Sequence, residues 1–130
     1  MYIIYNFLVL CVCCLFVLPY FLYRCICEAG FTTRMRQSLG GLRDEEIASV
    51  AQKDCIWIHG ASVGEIVATS PLVKEIRKAY PDSPILVSAV TVGGYNMAKQ
   101  IIQEADAIIY FPLDMPFVSE SFVKRIQPRI

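Results

Sequence analysis

The stretch Trp57–Glu65, which reads W-I-H-G-A-S-V-G-E, holds the residues whose types and spacing best suit ligand chemistry. Gly60 and Gly64 permit a tight backbone turn and a close approach of backbone to ligand. Ser62 is placed to cap a following helix, whose first N–H groups can then face an anion. In open α/β sheets ligands bind beyond the carboxyl ends of the strands, where such a loop lies. The pattern therefore indicates a ligand site in this loop.

A purely structural explanation also accounts for two of these residues. Ser62 and Glu65 have the spacing of a capping box, which stabilises a helix start without any catalytic role. The loop lacks both the G-x-G-x-x-G of a dinucleotide site and the G-K-[ST] of a P-loop. We expect Trp57 to belong to the core, and His59 either to orient the loop or to be a satisfied core residue at a strand end.

Metal and redox chemistry are not expected. Five of the six cysteines lie between residues 11 and 27, and only Cys55 belongs to the remainder. Cys11 and Cys14 form a C-x-x-C, but the chain has one histidine, His59, far away in sequence. We predict that these cysteines are small apolar residues of a lipid-facing helix, that there is no metal site, and that no cofactor is used.

Strand-like and helix-like segments alternate three times after residue 54. The predicted strands are Cys55–His59, Pro84–Val90 and Ala107–Phe111, and the predicted helices are Glu65–Tyr80, Tyr95–Glu104 and Phe117–Ile126. Pro71 predicts a kink or a late start in the first helix. This alternation is typical of an α/β fold with a Rossmann-like, doubly wound parallel sheet. A fourth strand is expected to begin at Ile130, so we interpret the chain as an incomplete domain.

The first two dozen residues predict a membrane anchor. Tyr2–Tyr23 contains no charged residue, and a helix of about 22 residues spans about 33 Å, against about 30 Å of bilayer hydrocarbon. Arginines follow the run and none precedes it, which predicts an uncleaved anchor with a cytoplasmic domain behind it. An interfacial helix and a cleaved signal peptide are the alternatives.

We therefore divide the chain into an anchor (1–24), a juxtamembrane connector (25–54) and an incomplete acceptor-side domain (55–130). The 12 basic residues are balanced by 12 acidic ones. No basic stripe is present of the kind that nucleic acid requires, so no nucleic-acid partner is expected.

The sequence resembles the amino-terminal domain of the bacterial 3-deoxy-manno-octulosonate (Kdo) transferases. Trp57–Glu65 is similar to the W-[IV]-H-[AG]-x-S-V-G-E hallmark of that family. The resemblance extends over segments that follow in the same order: Pro71–Val73, Tyr80–Pro81, Ser88–Gly93, Phe111–Asp114 and Gln127–Arg129. It covers most of the chain.

The resemblance implies an inverting glycosyltransferase of GT-B architecture that moves Kdo from CMP-Kdo to lipid IVA. Glu65 would be the catalytic base that takes the proton from the acceptor hydroxyl. Ser62, Gly64, Thr91 and Gly93 would contact the acceptor or support the site, because both loops fall at the same sheet edge. Ordinary turn chemistry is the alternative for Thr91 and Gly93.

The same resemblance implies where the enzyme is located in the cell and whether the isolated chain is active. The enzyme would lie at the bacterial cytoplasmic membrane with its soluble part facing the cytoplasm. Its CMP-Kdo site would lie beyond Ile130, so the isolated chain is expected to be inactive. Two other hypotheses stay open: a non-catalytic membrane-tethered binding module, and a GT-B transferase for another lipid-linked acceptor.

Overall fold

The computed structural model describes residues 2–129, without the side chain of Cys25. Ile130, where a fourth strand is expected to begin, lies outside the described residues. The chain divides into two compact units, residues 1–32 and 33–130.

The first unit is built around one apolar helical run. Helix α1 (Tyr2–Val12) passes through a π-helical stretch (Cys13–Val17) into α2 (Leu18–Cys27). Pro19 lies two residues after the π-helical stretch, and its missing N–H and bulky ring account for a local change in hydrogen bonding there. The segment Tyr2–Arg24 has a mean hydropathy of 2.3 and is long and apolar enough to cross a bilayer.

The second unit contains a three-stranded parallel sheet. After α3 (Phe31–Ser38) and α4 (Asp44–Ile47), the order is β1 (Ile56–Gly60), α5 (Val63–Ala79), β2 (Ile85–Ala89), α6 (Val92–Ile101), β3 (Ala107–Tyr110) and α7 (Pro116–Ile126). The spatial order is β1-β2-β3, with Ile56 opposite Ile85 and Leu86 opposite Ala107. The predicted α/β class with a parallel sheet is confirmed.

Helices cover both faces of this sheet. One core cluster joins α5 and α6 to the face that carries Val87 and Ala89. The other joins α7 and the α4 region to the face that carries Leu86 and Ile109. All five residues of β2 are buried, as expected for the central strand of a sheet that is covered on both sides.

Helix boundaries differ from the sequence expectation in two places. Helix α5 begins at Val63, before Glu65, and continues past Pro71 to Ala79, so the expected late start is wrong. Helix α6 begins at Val92, not at Tyr95, because the Thr91 side chain accepts a hydrogen bond from the Gly94 N–H at 3.0 Å and so caps the helix.

Helix α3 closes the outer edge of β3. The Gln37 side chain accepts a hydrogen bond from the Tyr110 N–H at 2.7 Å, and Ser38 Oγ donates to the Phe111 carbonyl at 3.0 Å. The helix ends in a Schellman turn in which Gly40 has φ 97° and Gly41 N–H donates to the Arg36 carbonyl. These side chains form hydrogen bonds with backbone groups at the edge of β3 that would otherwise be unpaired.

Candidate functional site

The loops that follow β1 and β2 meet at the carboxyl edge of the sheet. The Val90 and Thr91 N–H groups both donate to the Ala61 carbonyl at 3.3 Å. A Cβ on Gly93 would lie 3.2 Å from Val63 Cγ2, so the two loops are in close contact. The expectation that these loops share one edge agrees with this geometry, which brings Thr91 and Gly93 next to the loop that carries Ser62 and Glu65.

Glu65 lies in the first turn of α5 and is exposed to solvent. Its Oε2 accepts a hydrogen bond from the Ala61 N–H at 2.8 Å, and its Oε1 accepts one from Ser62 Oγ at 3.3 Å. Each carboxylate oxygen keeps lone-pair capacity beyond these bonds. The carboxylate is therefore held in one orientation and can still accept a proton from a ligand.

The predicted capping box is only partly formed. Ser62 is the N-cap residue of α5, but its side chain makes no hydrogen bond to the helix backbone. Its hydroxyl donates to Glu65 instead. Glu65 accepts a hydrogen bond from the N–H of Ala61, one residue before the N-cap. The Ser62 hydroxyl and the Ala61 N–H therefore orient the Glu65 carboxylate more than they stabilise the helix start.

Two glycines of this loop have different surroundings. A Cβ on Gly60 would lie 2.9 Å from Ile66 Cδ1 and 3.3 Å from Ile66 N, so close packing of strand and helix requires a glycine there. A Cβ on Gly64 would meet nothing within 4 Å. Gly64 thus leaves the backbone beside Glu65 open to a ligand.

Gly93 and Thr91 have mainly structural surroundings. Thr91 caps α6, and its hydroxyl also lies 3.4 Å from the Ala61 carbonyl. Gly93 lies in the first turn of α6 and not in a loop before it. The Arg34 Nε donates to the Val90 carbonyl at 2.8 Å and holds the same loop from the side of α3.

His59 and Trp57 share a partner that sequence reasoning did not single out. Trp57 Nε1 donates to Ser88 Oγ at 2.8 Å, and His59 Nδ1 lies 3.0 Å from the same oxygen. Ser88 is fully buried on the central strand. A lone serine within an otherwise apolar strand was the available indication, since a buried hydroxyl requires partners.

The expectation that His59 is a core residue is wrong, because its side chain is exposed at the end of β1. It is satisfied by Ser88 and packs its ring 4.1 Å from that of Phe111. Trp57 is half-buried and packs against the core cluster on the α7 side. Both rings line a cavity of about 260 Å³ together with Phe111, Pro112, Ser119 and Val123.

These features define the class of the domain: a parallel α/β domain with an oriented, solvent-facing carboxylate at the carboxyl edge of its sheet. Residues 33–130 match the family model for 3-deoxy-D-manno-octulosonic-acid transferase (kdotransferase). This match covers most of the chain, and the chain belongs to that family.

Curated relatives support the assignment. The 3-deoxy-D-manno-octulosonic acid transferase of Haemophilus influenzae is 35% identical over 83 residues, which is 64% of this chain and 19% of that protein. The enzyme of the same name from Chlamydophila psittaci is 29% identical over 117 residues, or 87% of this chain and 26% of the relative. The Rickettsia felis transferase is 29% identical over 103 residues, which is 78% of this chain and 22% of that protein. The chain thus spans about a fifth to a quarter of the length of these relatives. No solved structure matches it.

Proposed function

We propose that this chain forms the acceptor-side part of an inverting Kdo transferase of GT-B architecture. The reaction transfers Kdo from CMP-Kdo to a hydroxyl of lipid IVA during lipopolysaccharide synthesis. The hydroxyl oxygen forms a bond to the anomeric carbon of Kdo, and CMP leaves with the electron pair of the broken bond. Glu65 takes the proton that the hydroxyl loses.

The observation that carries this proposal is the geometry of Glu65. The carboxylate is exposed, oriented by two hydrogen bonds and free of ion pairs among residues 2–129. A base used on a hydroxyl must be reachable by it and held at hydrogen-bond distance. A glutamate that served only to cap the helix would not need the Ser62 hydroxyl as a second donor.

The roles of the neighbouring residues follow from their positions. Gly64 leaves room for the acceptor sugar beside the carboxylate, and Ser62 fixes one of the carboxylate oxygens. Thr91 and Gly93 shape the adjoining loop that borders the same space. The resemblance to the family implies that no metal ion takes part in this displacement.

The apolar helix Tyr2–Arg24 would hold the site at the surface that presents the acceptor. The excess of arginine after the helix favours a cytoplasmic position for the rest of the chain. An enzyme whose acceptor is a membrane lipid gains from this tether, since it confines both reactants to one surface.

A chimera tests the proposal directly. The segment of the Haemophilus influenzae transferase that matches this chain is replaced by the matching segment of this chain. The purified chimera is then incubated with CMP-Kdo and lipid IVA, and the product is analysed by mass spectrometry. We expect a mass increase corresponding to added Kdo. A folded chimera that binds lipid IVA without turnover would contradict the proposal and favour a non-catalytic binding module. Transfer to a different lipid-linked acceptor would favour the second alternative.

A further inference from the structure

The cavity beside His59 has the properties of a small ligand site. It lies at the carboxyl end of the sheet, has a volume of about 260 Å³ and is open to solvent. The rings of Trp57 and Phe111 form two of its walls, with centroids 6.0 Å apart and planes inclined by 49°. Sites for drug-sized ligands usually enclose about 300–1,000 Å³, so this cavity suits a single ring better than a larger molecule.

The position of the cavity in the fold also favours ligand binding. Helix α5, which follows β1, packs on one face of the sheet, and α7, which follows β3, packs on the other. The cavity lies between the end of β1 and α7, where these connections diverge to opposite faces. Parallel α/β sheets bind ligands outside the carboxyl ends of their strands, where this cavity lies. The loop that carries Glu65 begins directly after β1.

Ser88 can set which nitrogen of His59 carries the proton, because its hydroxyl has one hydrogen to donate besides its lone pairs. An indole N–H can only donate, so Ser88 Oγ accepts from Trp57 Nε1. The serine hydroxyl is then available to donate to His59 Nδ1 at 3.0 Å. The neutral imidazole that accepts this bond carries its proton on Nε2. In that arrangement His59, which lines the cavity with Trp57 and Phe111, offers Nε2–H as a donor to a ligand.

We propose that this cavity binds a pyranose ring, which packs its C–H face on Trp57 and Phe111 and accepts a hydrogen bond from His59 Nε2. A sugar ring combines an apolar C–H face with hydroxyl groups at its periphery, and the cavity offers the complementary surfaces. An acyl chain would fill the apolar part but would cover the His59 donor without pairing it, which carries a desolvation cost. The inference rests on the proposed function, which supplies two sources of such a ring: the acceptor lipid and the Kdo donor.

The chain is well suited to a spectroscopic test, because its only histidine and its only tryptophan both line the cavity. The whole chain is prepared in detergent micelles with ¹⁵N-labelled histidine. At a pH above the range in which imidazoles titrate, we expect the nitrogen spectrum of the free protein to show the proton on Nε2. A spectrum with the proton on Nδ1 would overturn the assignment of the donor.

Two soluble probes then identify the source of the ring. One is the deacylated, phosphorylated glucosamine disaccharide of lipid IVA, and the other is CMP-Kdo. We expect one of them to change Trp57 fluorescence in a saturable way and to shift the His59 Nε2 resonance. A response to the disaccharide assigns the acceptor, and a response to CMP-Kdo assigns the donor sugar. No response to either probe, or a response only to a fatty acid, would overturn the proposal.

Variants separate binding from a structural role. His59→Phe keeps an aromatic ring on the exposed side chain but removes the donor, and we expect it to weaken sugar binding about tenfold. Ser121→Ala, which removes a hydroxyl from the same helix outside the lining of the cavity, is the matched control and should leave affinity nearly unchanged. Equal affinity in His59→Phe and in the unaltered chain would contradict the proposal. These binding measurements need no turnover, so their failure is distinct from failure of the chimera to transfer Kdo.

Discussion

Gly60 and Gly64 flank the turn into α5, and their environments predict opposite effects of adding a methyl group. Gly60→Ala places a Cβ against Ile66, where both side chain and backbone are within 3.4 Å. We expect a loss of about 1–3 kcal/mol in the free energy of unfolding, typical of overpacking. The measurement is urea denaturation of the two variants side by side.

Gly64→Ala should instead be neutral or stabilising, by up to about 1 kcal/mol, because the site is helical and open. If Gly64 gives the acceptor access to Glu65, the same change should lower Kdo transfer in the chimera. Unchanged stability together with unchanged transfer would remove Gly64 from the site.

Glu46 predicts a pH dependence of stability. Burial alone would raise the pKa of this carboxyl, but hydrogen bonds from Arg36, the Arg43 N–H and Gln37 outweigh burial and lower the pKa to about 2. A carboxyl with a lowered pKa in the folded state stabilises the fold above its unfolded pKa, which is about 4.5. That stability is lost as the pH falls from about 4.5 towards about 2.

Glu46→Gln should therefore reduce the free energy of unfolding at neutral pH by about 1–3 kcal/mol, as expected for loss of a hydrogen-bonded charge. It should also flatten the loss of stability in acid. Glu45, which is more exposed and pairs with Arg43 at 3.5 Å, provides the control Glu45→Gln. A parallel pH profile for Glu46→Gln and the unaltered chain would refute the role of the Arg36–Glu46 pair.

Side-chain roles were only partly predictable from the sequence. The composition of the Trp57–Glu65 loop was enough to place Glu65 and Ser62 at a strand-to-helix turn. It could not show that Ser62 donates to Glu65, because the same spacing also fits a capping box in which each side chain accepts from a backbone N–H. His59 was expected either to orient the loop or to be a satisfied core residue at a strand end. Its side chain is exposed, and its partner is Ser88 on the neighbouring strand.

At the scale of elements, α3 has a structural role at the edge of β3 that its own sequence does not reveal. Its weak periodicity predicts no more than a short helix, yet its last turn satisfies backbone groups at the edge of β3. These contacts join residues far apart in sequence, which local patterns cannot predict. The three strands were placed to within about two residues, because long apolar runs bounded by turns are the most readable pattern in a sequence.

Gln37→Leu tests the contribution of this edge contact. The substitution leaves the buried Tyr110 N–H without its acceptor, and we expect a loss of about 1–3 kcal/mol in unfolding free energy. The exposed Gln103 gives the control Gln103→Leu, which should change stability by less than about 0.5 kcal/mol. Equal stability of the two variants would show that the edge of β3 does not depend on Gln37.

At the scale of the whole molecule, the order of elements was readable from physical patterns, whereas the function was readable only through the resemblance to a known family. Alternation of strands and helices predicts a parallel sheet on physical grounds, and the structure has one with helices on both faces. The same architecture supports many activities, so function had to come from the site and from the family. Membership in the Kdo transferase family is consistent with the role that we propose for the oriented carboxylate of Glu65.

Kdo transfer by the chimera with Glu65→Gln is the most direct test of the central claim. The amide keeps an oxygen for the Ala61 N–H and preserves the size of the side chain, but it cannot take up the proton of the acceptor. We expect the single-turnover rate to fall by about 10²–10⁴-fold at unchanged stability. Glu75→Gln, on the exposed surface of the same helix, should retain full activity. A Glu65→Gln chimera that transfers Kdo as fast as the Glu75→Gln control would contradict the account.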